Sequence, residues 1–359
     1  MKLSIGIVGL PNVGKSTLFN ALLKKQVADA ANYPFCTIEP NVGIVEVPDE
    51  RLPILAKIVK TEKIVPAAVE FYDIAGIVKG ASEGEGLGNK FLSHIREVSA
   101  IVHVVRLFDD PNVIHVANKV DPKSDMETID AELILADLET LSKQKEPRGN
   151  ADKKEHIRYA IIQRFKSELN KGVPARNVVV TDEEIQIIRE LNLLTLKPVI
   201  YAFNVSEEQL SSKEETIKKI QSLGINTNWL FFNAKLENDV LALSAQEQKE
   251  YLNQYGLEDT GLNRLIKKSY EILGLVSFLT AGVIEAKAWT ITKGTLAPQA
   301  AGTIHTDFEK KFIKADIVTY DDFVACEGWV KARETGKVVS AGKDYMMKDG
   351  DVVEFKVGS

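Results

Sequence analysis

An α/β fold is predicted for the first part of the chain by three observations. Residues 3–8 form an apolar run of strand length, and residues 17–23 carry apolar side chains at helical spacing. A glycine-containing stretch, Gly9-Leu-Pro-Asn-Val-Gly14-Lys15-Ser16, joins the two. Further apolar runs of strand length occur at residues 42–47, 67–72, 100–105, 197–203 and 228–233. Strands that alternate with helices are typical of a sheet covered by helices.

The stretch from Gly9 to Ser16 has the spacing of a phosphate-binding loop. Gly9 and Gly14 let consecutive backbone N–H groups turn into one concavity, and the following helix adds its positive end. Lys15 supplies charge for the β and γ phosphates and is a predicted catalytic residue, and the Ser16 hydroxyl is a predicted magnesium ligand. The predicted nucleotide-binding residues of this loop are Asn12, Val13, Gly14, Lys15, Ser16 and Thr17.

Two later positions are predicted to complete a magnesium and γ-phosphate site. Thr37 lies in a loop between two prolines, where switch-type nucleotidases complete magnesium coordination, although taken alone it fits a surface threonine. Asp73 follows an apolar strand and can reach the ion through a water, and Gly76 lets its backbone N–H turn toward the γ phosphate. Position 77, where many relatives of this fold carry a water-orienting glutamine, is isoleucine. We therefore expect slow hydrolysis.

Three histidines are candidates for orienting the attacking water: His94, His103 and His115. His103 lies inside the strand 100–105, which favours a hydrogen-bonded core residue. His115 follows the acidic turn 108–112 and can reach the site on a loop. His115 is therefore the second predicted catalytic residue.

Two segments are candidates for reading the base. Asn118-Lys-Val-Asp121 has the letters of the guanine motif Asn-Lys-x-Asp, but only a turn separates it from the preceding strand, which leaves no room for a crossover helix. The better placed segment follows a later strand and ends in Asn204-Val-Ser-Glu207. Asn204 can pair with N7 and the exocyclic amine of adenine over an apolar floor at Val205, and Glu207 replaces the aspartate that reads guanine. We expect ATP to be preferred, with GTP as the alternative.

The composition restricts the class of protein. A chain of 359 residues accommodates two or three domains, and 45% hydrophobic with 27% charged residues is ordinary for a soluble globular protein. The net charge of -6 argues against DNA or an anionic membrane as partner. Two cysteines give no disulfide framework, and no apolar run approaches the ~20 residues of a membrane span. The N-terminal segment lacks a signal-peptide pattern, so we expect a cytoplasmic protein.

Residues 127–171 predict two antiparallel helices joined by a turn at 146–150, and a further helix is predicted over 182–193. The two apolar stripes are Ile129, Leu133, Ile134, Leu138 and Leu141, and Ile157, Ile161, Phe165 and Leu169. Residues 143–176 hold ten Lys or Arg against four Asp or Glu. A basic arm suits RNA phosphates, although a solvated helix face explains the charge equally well.

From about residue 280 helical periods give way to short predicted strands at 283–289, 317–320 and 352–357, with a turn at 348–351 before the last. Basic and acidic side chains nearly balance in this region. It is therefore predicted to be a separate domain that offers shape and hydrogen bonds to a partner.

Several stretches together resemble the Obg-like ATPases, the YchF group of phosphate-loop proteins related to translation factors. They are residues 9–16, 33–37, 73–81, 84–92, 204–207, 297–309 and 342–345. The resemblance implies a nucleotide-binding domain over 1–125 and 195–280, an antiparallel coiled-coil insertion over 126–194, and a C-terminal β-grasp domain of the TGS type over 281–359.

The resemblance also implies function. Family members prefer ATP and bind ribosomes, so a large subunit or a whole ribosome is the expected partner, with ribosomal RNA contacted by the basic arm. Asn12 resembles a potassium-coordinating position, which adds K+ to Mg2+ as a candidate cation. The leading interpretation is a slow ATPase switch in translation or stress response. The alternatives are a GTPase of the same architecture and a nucleotide-bound ribosome-binding scaffold with little turnover.

Overall fold

The computed structural model describes residues 4–29, 41–74, 87–110, 120–149 and 151–358. The chain divides into two compact units. The first comprises Met1–Leu22, Glu39–Gly43 and Phe71–Leu262, and the second comprises Leu23–Ile38, Ile44–Glu70 and Asn263–Ser359. Thr37, Gly76, Ile77, His115 and Asn118 lie outside the described residues, so the predictions made for them stay predictions.

Twelve strands and fifteen α-helices are formed by the described residues. The strands are β1 Ser4–Val8, β2 Val42–Glu46, β3 Ile64–Val65, β4 Ala68–Asp73, β5 Ala100–Arg106, β6 Val199–Asn204, β7 Trp229–Phe232, β8 Leu275–Ala281, β9 Ala286–Thr292, β10 Phe312–Thr319, β11 Val339–Ala341 and β12 Asp351–Val357. The helices are α1 Lys15–Asp29, α2 Arg51–Val59, α3 Leu87–Glu97, α4 Pro122–Ser142, α5 Lys153–Leu169, α6 Asp182–Ile188, α7 Glu207–Ser211, α8 Lys213–Ser222, α9 Ala234–Val240, α10 Ala245–Gln254, α11 Gly261–Ile272, α12 Ala297–Ile304, α13 Thr306–Lys310, α14 Tyr320–Ala325 and α15 Trp329–Glu334. None of these helices is long and apolar enough to cross a bilayer.

The first sheet has the order β2-β4-β1-β5-β6-β7. β1 pairs in parallel with β5, β5 with β6, and β6 with β7. Every residue of β1 and β5 is buried, as expected for strands covered on both faces. The carboxyl ends of these four parallel strands meet at one edge, and ligands bind at that edge in open α/β sheets. The predicted α/β fold is therefore confirmed.

Helices α4 and α5 confirm the predicted helical pair at 127–171. Asp121 caps α4 and Asp152 caps α5 through their side chains. Ile134 and Leu141 of α4 pack in one cluster with Ile161 and Phe165 of α5. The buried stripe is thus the one that the helical spacing indicates, except for Ile157, which is 42% exposed.

The helix predicted over 182–193 is shorter than expected. α6 ends at Ile188, Arg189–Leu191 tightens into a 3-10 turn, and Asn192 adopts φ 47°, which stops the helix. A second 3-10 turn, Leu194–Leu196, leads into β6. The carboxylate of Asp137, which is completely buried on α4, accepts hydrogen bonds from Leu194 N at 2.7 Å, Thr195 N at 2.8 Å and Thr195 Oγ at 2.6 Å. This carboxylate fixes the segment before β6 to α4.

The second sheet has the order β11-β10-β12-β8-β9-β3. β8 and β9 form an antiparallel hairpin, β12 runs antiparallel to β10 and parallel to β8, and α12 lies between β9 and β10 in the chain. The strand predicted at 283–289 starts only at Ala286, because the turn of the hairpin precedes it, with Gly282 N donating to Glu285 O at 3.2 Å. β8 itself was not predicted as a strand.

Candidate functional site

The stretch between β1 and α1 forms the curled loop that its spacing predicts. Asn12 adopts φ 63° and Gly14 φ 103°, and a Cβ atom on Gly9 would lie 2.5 Å from the Val104 carbonyl oxygen. Both glycines are therefore required by geometry. Leu18 N donates to Gly14 O at 2.9 Å and starts α1, whose first residue is Lys15. The N-terminal end of α1, which attracts anions, thus points into the loop.

Lys15 is the buried cation of this loop. Lys15 is only 8% exposed, and its Nζ donates to the Leu10 carbonyl oxygen at 2.8 Å. Burial lowers the pKa of Lys15 and the charge of Asp73 opposes this effect. Burial likewise raises the pKa of the Asp73 carboxyl group and Lys15 opposes that effect. Lys15 and Asp73 therefore attract each other electrostatically. An anion in the loop would also stabilise the charged form of Lys15.

Asn204 ties the phosphate loop to β6 and to the start of α9. At the end of β6 its Nδ2 donates to Val13 O at 3.0 Å, and its Oδ1 accepts from Ala234 N at 3.1 Å. The residue is only 6% exposed. An amide nitrogen carries two hydrogens and its oxygen has two lone pairs, so each end keeps capacity for a ligand. The residue predicted to read the base is thus also a structural clamp on the loop.

A cavity of about 780 Å3 opens at this edge of the sheet. Its walls are the phosphate loop and α1, the end of β5, and the segments that follow β6 and β7: Asn12, Gly14, Thr17, Arg106, Phe108, Asp109, Asp110, Asn204, Ser206, Glu207, Glu208, Asn233, Ala234 and Lys235. A pocket of this volume holds a ligand of nucleotide size. Five predicted nucleotide-binding residues therefore lie around one cavity: Asn12, Gly14, Thr17, Asn204 and Glu207.

Other predicted residues lie apart from the cavity surface. Val205 is completely buried and packs in a hydrophobic cluster with Phe203 and Leu236, so its side chain does not form the predicted apolar floor. Val13 is 1% exposed and contributes its backbone. Asp121, the last residue of the Asn-Lys-x-Asp match, accepts from Ser124 N at 3.2 Å as the N-cap of α4. A helix cap explains this aspartate without any contact to a base.

Arg106 is a wall residue that the sequence analysis missed. Although it ends the buried strand β5, its Nε donates to Phe108 O at 2.9 Å, and its guanidinium carbon lies 4.8 Å from the centre of the Phe108 ring. It is 2% exposed. A charged residue at the end of an apolar strand is the sequence feature that could have identified this wall residue. Arg106 fixes the course of the chain directly after β5, where it contacts the carbonyl oxygens of Phe108 and Asp110.

His103 occupies the core position that its strand predicts, but without the expected hydrogen bond at Nε2. Among the described residues this buried atom has no partner, and the ring lies 5.6 Å from that of Tyr201. Burial, with contributions from Arg176 and Lys15, lowers the pKa of His103 from 6.5 to about 3. His103 is therefore a neutral core residue.

The fold and the cavity define a nucleotide-binding protein of the phosphate-loop class. Residues 4–147 match the family model described as 50S ribosome-binding GTPase, and residues 275–358 match the model YchF-GTPase_C, described as a protein of unknown function. The chain is 50% identical over 364 residues to the ribosome-binding ATPase YchF of Bacillus subtilis and 46% identical over 363 residues to that of Haemophilus influenzae, covering 99% of both chains in each case.

A solved structure agrees with these matches. The structure of the Schizosaccharomyces pombe YchF GTPase superposes with a TM-score of 0.88 at 39% identity, over 99% of this chain and 98% of that one. The chain belongs to the YchF family. The resemblance stated from its motifs is therefore confirmed.

Proposed function

We propose that this protein is a ribosome-binding ATPase that hydrolyses ATP to ADP and phosphate as a slow nucleotide switch. The observation that carries the proposal is the single cavity shared by the phosphate loop and Asn204, in a chain with 50% identity to a protein named ribosome-binding ATPase. A ribosomal partner would make the cytoplasm its place of action.

We propose adenine and not guanine as the preferred base. The Nδ2 hydrogen of Asn204 that Val13 does not use is available to N7 of a purine. Glu207 lies in the first turn of α7, one residue after the N-cap Ser206, where a carboxylate is also favoured by the helix dipole. The base-reading loop therefore lacks the aspartate that guanine requires at this depth.

We propose Mg2+ as the metal. Among the described residues no group of three or more His, Cys, Asp or Glu side chains could hold a metal ion. A phosphate-loop site needs none, because a hydroxyl, water-bridged carboxylate and phosphate oxygens supply the ligands. The hydroxyl would come from Ser16, which is exposed in the first turn of α1, and the carboxylate would come from the half-buried Asp73. Thr37 is the proposed third protein ligand. Asn12 is the proposed contact for K+.

Hydrolysis is proposed to be attack of water on the γ phosphate. Lys15 and the metal would neutralise the charge that develops there, Gly76 would donate its backbone N–H, and His115 would orient the water. Ile77, in the place of a glutamine, predicts that turnover is slow without ribosomes or K+.

The test compares ATP with GTP on one preparation. We expect the dissociation constant of ATP to be lower than that of GTP, and phosphate release to be stimulated by ribosomes or K+, with Lys15→Ala as the inactive control. GTP is the second candidate substrate, because the fission-yeast relative is named a GTPase. Tighter GTP binding would support that alternative, and tight ATP binding with no multiple turnover would support the scaffold.

We propose three domains from the sequence boundaries, with 126–194 as a coiled-coil insertion and the C-terminal region as a β-grasp domain of the TGS type. The packing of α4 on α5 supports the first assignment. The mixed sheet with α12 between its strands supports the second. The pairing of β8 with β9 favours placing the last boundary before Leu275 instead of at 280/281.

The arm is proposed to contact ribosomal RNA, in the large subunit or the whole ribosome. Five of its ten basic residues pair with carboxylates: Lys143, Arg158, Arg164, Lys171 and Arg176. The other five, Lys145, Arg148, Lys153, Lys154 and Lys166, form no ion pair within the described ranges, and four of them flank the α4–α5 turn. The charge available to RNA is therefore concentrated at that turn.

A charge reversal at the turn tests this contact. Lys153→Glu with Lys154→Glu places acids in the first turn of α5, which the helix tolerates well. We expect weaker ribosome co-sedimentation and a smaller salt dependence. The matched control reverses Lys310 and Lys311, an exposed lysine pair of the C-terminal unit. Equal binding of both variants would refute the role of the arm.

A further inference from the structure

A second cavity of about 550 Å3 lies between the end of α3 and the segment that contains α6 and Lys197. Three cations line it, Arg96, Arg189 and Lys197, against one lining carboxylate, Glu97. The rest of the wall contains aliphatic side chains, of which Ile185 and Leu196 are partly exposed, and the polar residues Ser99, Gln186 and Asn192. A positively charged pocket with apolar walls is suited to an anion that carries an apolar group.

Lys197 is held in place by backbone carbonyl groups at the C-terminal end of α3. Its Nζ donates to Arg96 O at 3.2 Å and to Val98 O at 2.5 Å. An ammonium group has three hydrogens, so one remains for a ligand. Burial and the charge of Arg96 lower the pKa of Lys197, and Asp137 opposes this effect. An anion in the cavity would stabilise the charged ammonium.

The guanidinium of Arg96 is the second element of the site. Arg96 is half-buried, and its side chain makes no hydrogen bond or ion pair with any residue that the structure describes. The buried carboxylate of Asp137 attracts Arg96 and Lys197 electrostatically, but its hydrogen bonds go to Leu194 and Thr195. The planar donor fork of Arg96 therefore remains available for a phosphate or a carboxylate.

We propose that this cavity binds a small amphipathic anion, with a phosphate or carboxylate group at Arg96 and Lys197 and an apolar group against Ile185 and Leu196. The volume lies within the range of small-molecule sites, ~300–1,000 Å3. The site is separate from the phosphate loop and does not depend on the ATPase proposal.

The test uses methyl-labelled protein saturated with Mg·ADP, so that the phosphate loop is already filled. Phenyl phosphate and benzoate are the probes for the two head groups, and inorganic phosphate lacks the apolar part. We expect at least one aromatic anion to shift the methyl resonances of Ile185 and Leu196 saturably at millimolar concentration, and inorganic phosphate to bind more weakly. Absence of a saturable shift at these methyl groups with both aromatic anions would overturn the proposal.

Arg96→Gln is the decisive variant. The Arg96 carbonyl oxygen accepts hydrogen bonds from Asn192 and Lys197, and the substitution leaves this backbone oxygen unchanged. We expect the affinity for the aromatic anion to fall about tenfold, the value of a charge-assisted hydrogen bond. Arg96→Lys, which keeps the charge, should restore part of it, and Arg148→Gln at the exposed arm turn should have no effect. Unchanged affinity in Arg96→Gln, with unchanged ADP binding as proof of folding, would refute the site.

Discussion

Gly14 and Asn204 approach so closely that a Cβ atom on Gly14 would lie 2.4 Å from the Asn204 amide nitrogen. The two residues are far apart in sequence, and Asn204 Nδ2 donates to the carbonyl oxygen of Val13, the residue before Gly14. The phosphate loop is therefore supported by the same side chain that is predicted to read the base, and this side chain lines the cavity. If that prediction holds, phosphate binding and base binding share one structural element.

Gly14→Ala is expected to abolish tight nucleotide binding. The added methyl group meets Asn204, and φ 103° is strained for any residue with a Cβ atom. Relief of this 2.4 Å contact requires the amide to move by about 1 Å, and a shift of that size breaks its 3.0 Å hydrogen bond to Val13. We expect the ATP affinity, measured by calorimetry, to fall more than about tenfold. Gly149→Ala is the control, because a Cβ atom there meets nothing within 4 Å; equal losses in both variants would contradict the explanation.

Asn204→Asp is expected to loosen the phosphate loop even without nucleotide. A carboxylate oxygen would face the Val13 carbonyl oxygen in the place of a donor, inside a position that is only 6% exposed. Loss of a buried hydrogen bond with an unsatisfied partner costs about 1–3 kcal/mol.

Chemical denaturation of the nucleotide-free protein measures this cost. Asn177→Asp, at an exposed position of the 3-10 turn Ala175–Asn177, provides the control. A free energy of unfolding equal to that of the wild type would show that the clamp contributes nothing to the empty loop.

Local patterns predicted the phosphate loop, because strand, glycines and helix are adjacent in the chain. They also placed Asn204 beside the cavity, since a polar side chain at the end of an apolar strand falls at the edge where ligands bind. They did not predict its bond to Val13, which depends on the parallel order of β1, β5 and β6. The prediction for the Val205 side chain was wrong. Its neighbour Asn204 faces the cavity, while Val205 points into the core.

The C-terminal boundary shows a second limit of sequence patterns. β8 is apolar and follows α11 directly, so its sequence fits either sheet. Only its seven-residue register with β9 assigns it to the second sheet. Strand pairing is a long-range property, and single-strand patterns do not encode the partner.

Asp137→Asn is expected to release the segment before β6 from α4. The buried carboxylate accepts three hydrogen bonds from Leu194 and Thr195, and an amide group would present donors to donors. We expect faster amide hydrogen exchange at positions 194 and 195 and a loss of about 1–3 kcal/mol in the free energy of unfolding.

Glu139→Gln on the same helix is the matched control for Asp137→Asn. Glu139 is exposed and pairs with Lys143 at 2.7 Å, so its substitution should change stability by less than about 0.5 kcal/mol. Unchanged exchange at 194 and 195 in Asp137→Asn would show that the contact does not hold the segment.

His103 predicts how stability depends on pH. Burial lowers its pKa from 6.5 to about 3 in the folded protein. Between these values the unfolded chain binds a proton that the folded protein excludes, so this contribution to stability is complete above about pH 6.5 and is lost progressively as the pH falls toward about 3. Within this window, each pH unit changes the free energy of unfolding by about 1.4 kcal/mol.

His103→Gln removes the titrating group and isolates this effect. Between about pH 7.5 and about pH 5.5 we expect the free energy of unfolding of the wild type, measured in urea, to fall by about 1.4 kcal/mol more than that of the variant. His156→Gln, at an exposed position on α5, should retain the wild-type slope. Parallel curves for the wild type and His103→Gln would mean that the buried ring accepts a proton without cost, which would require an acceptor for Nε2–H beyond the described residues.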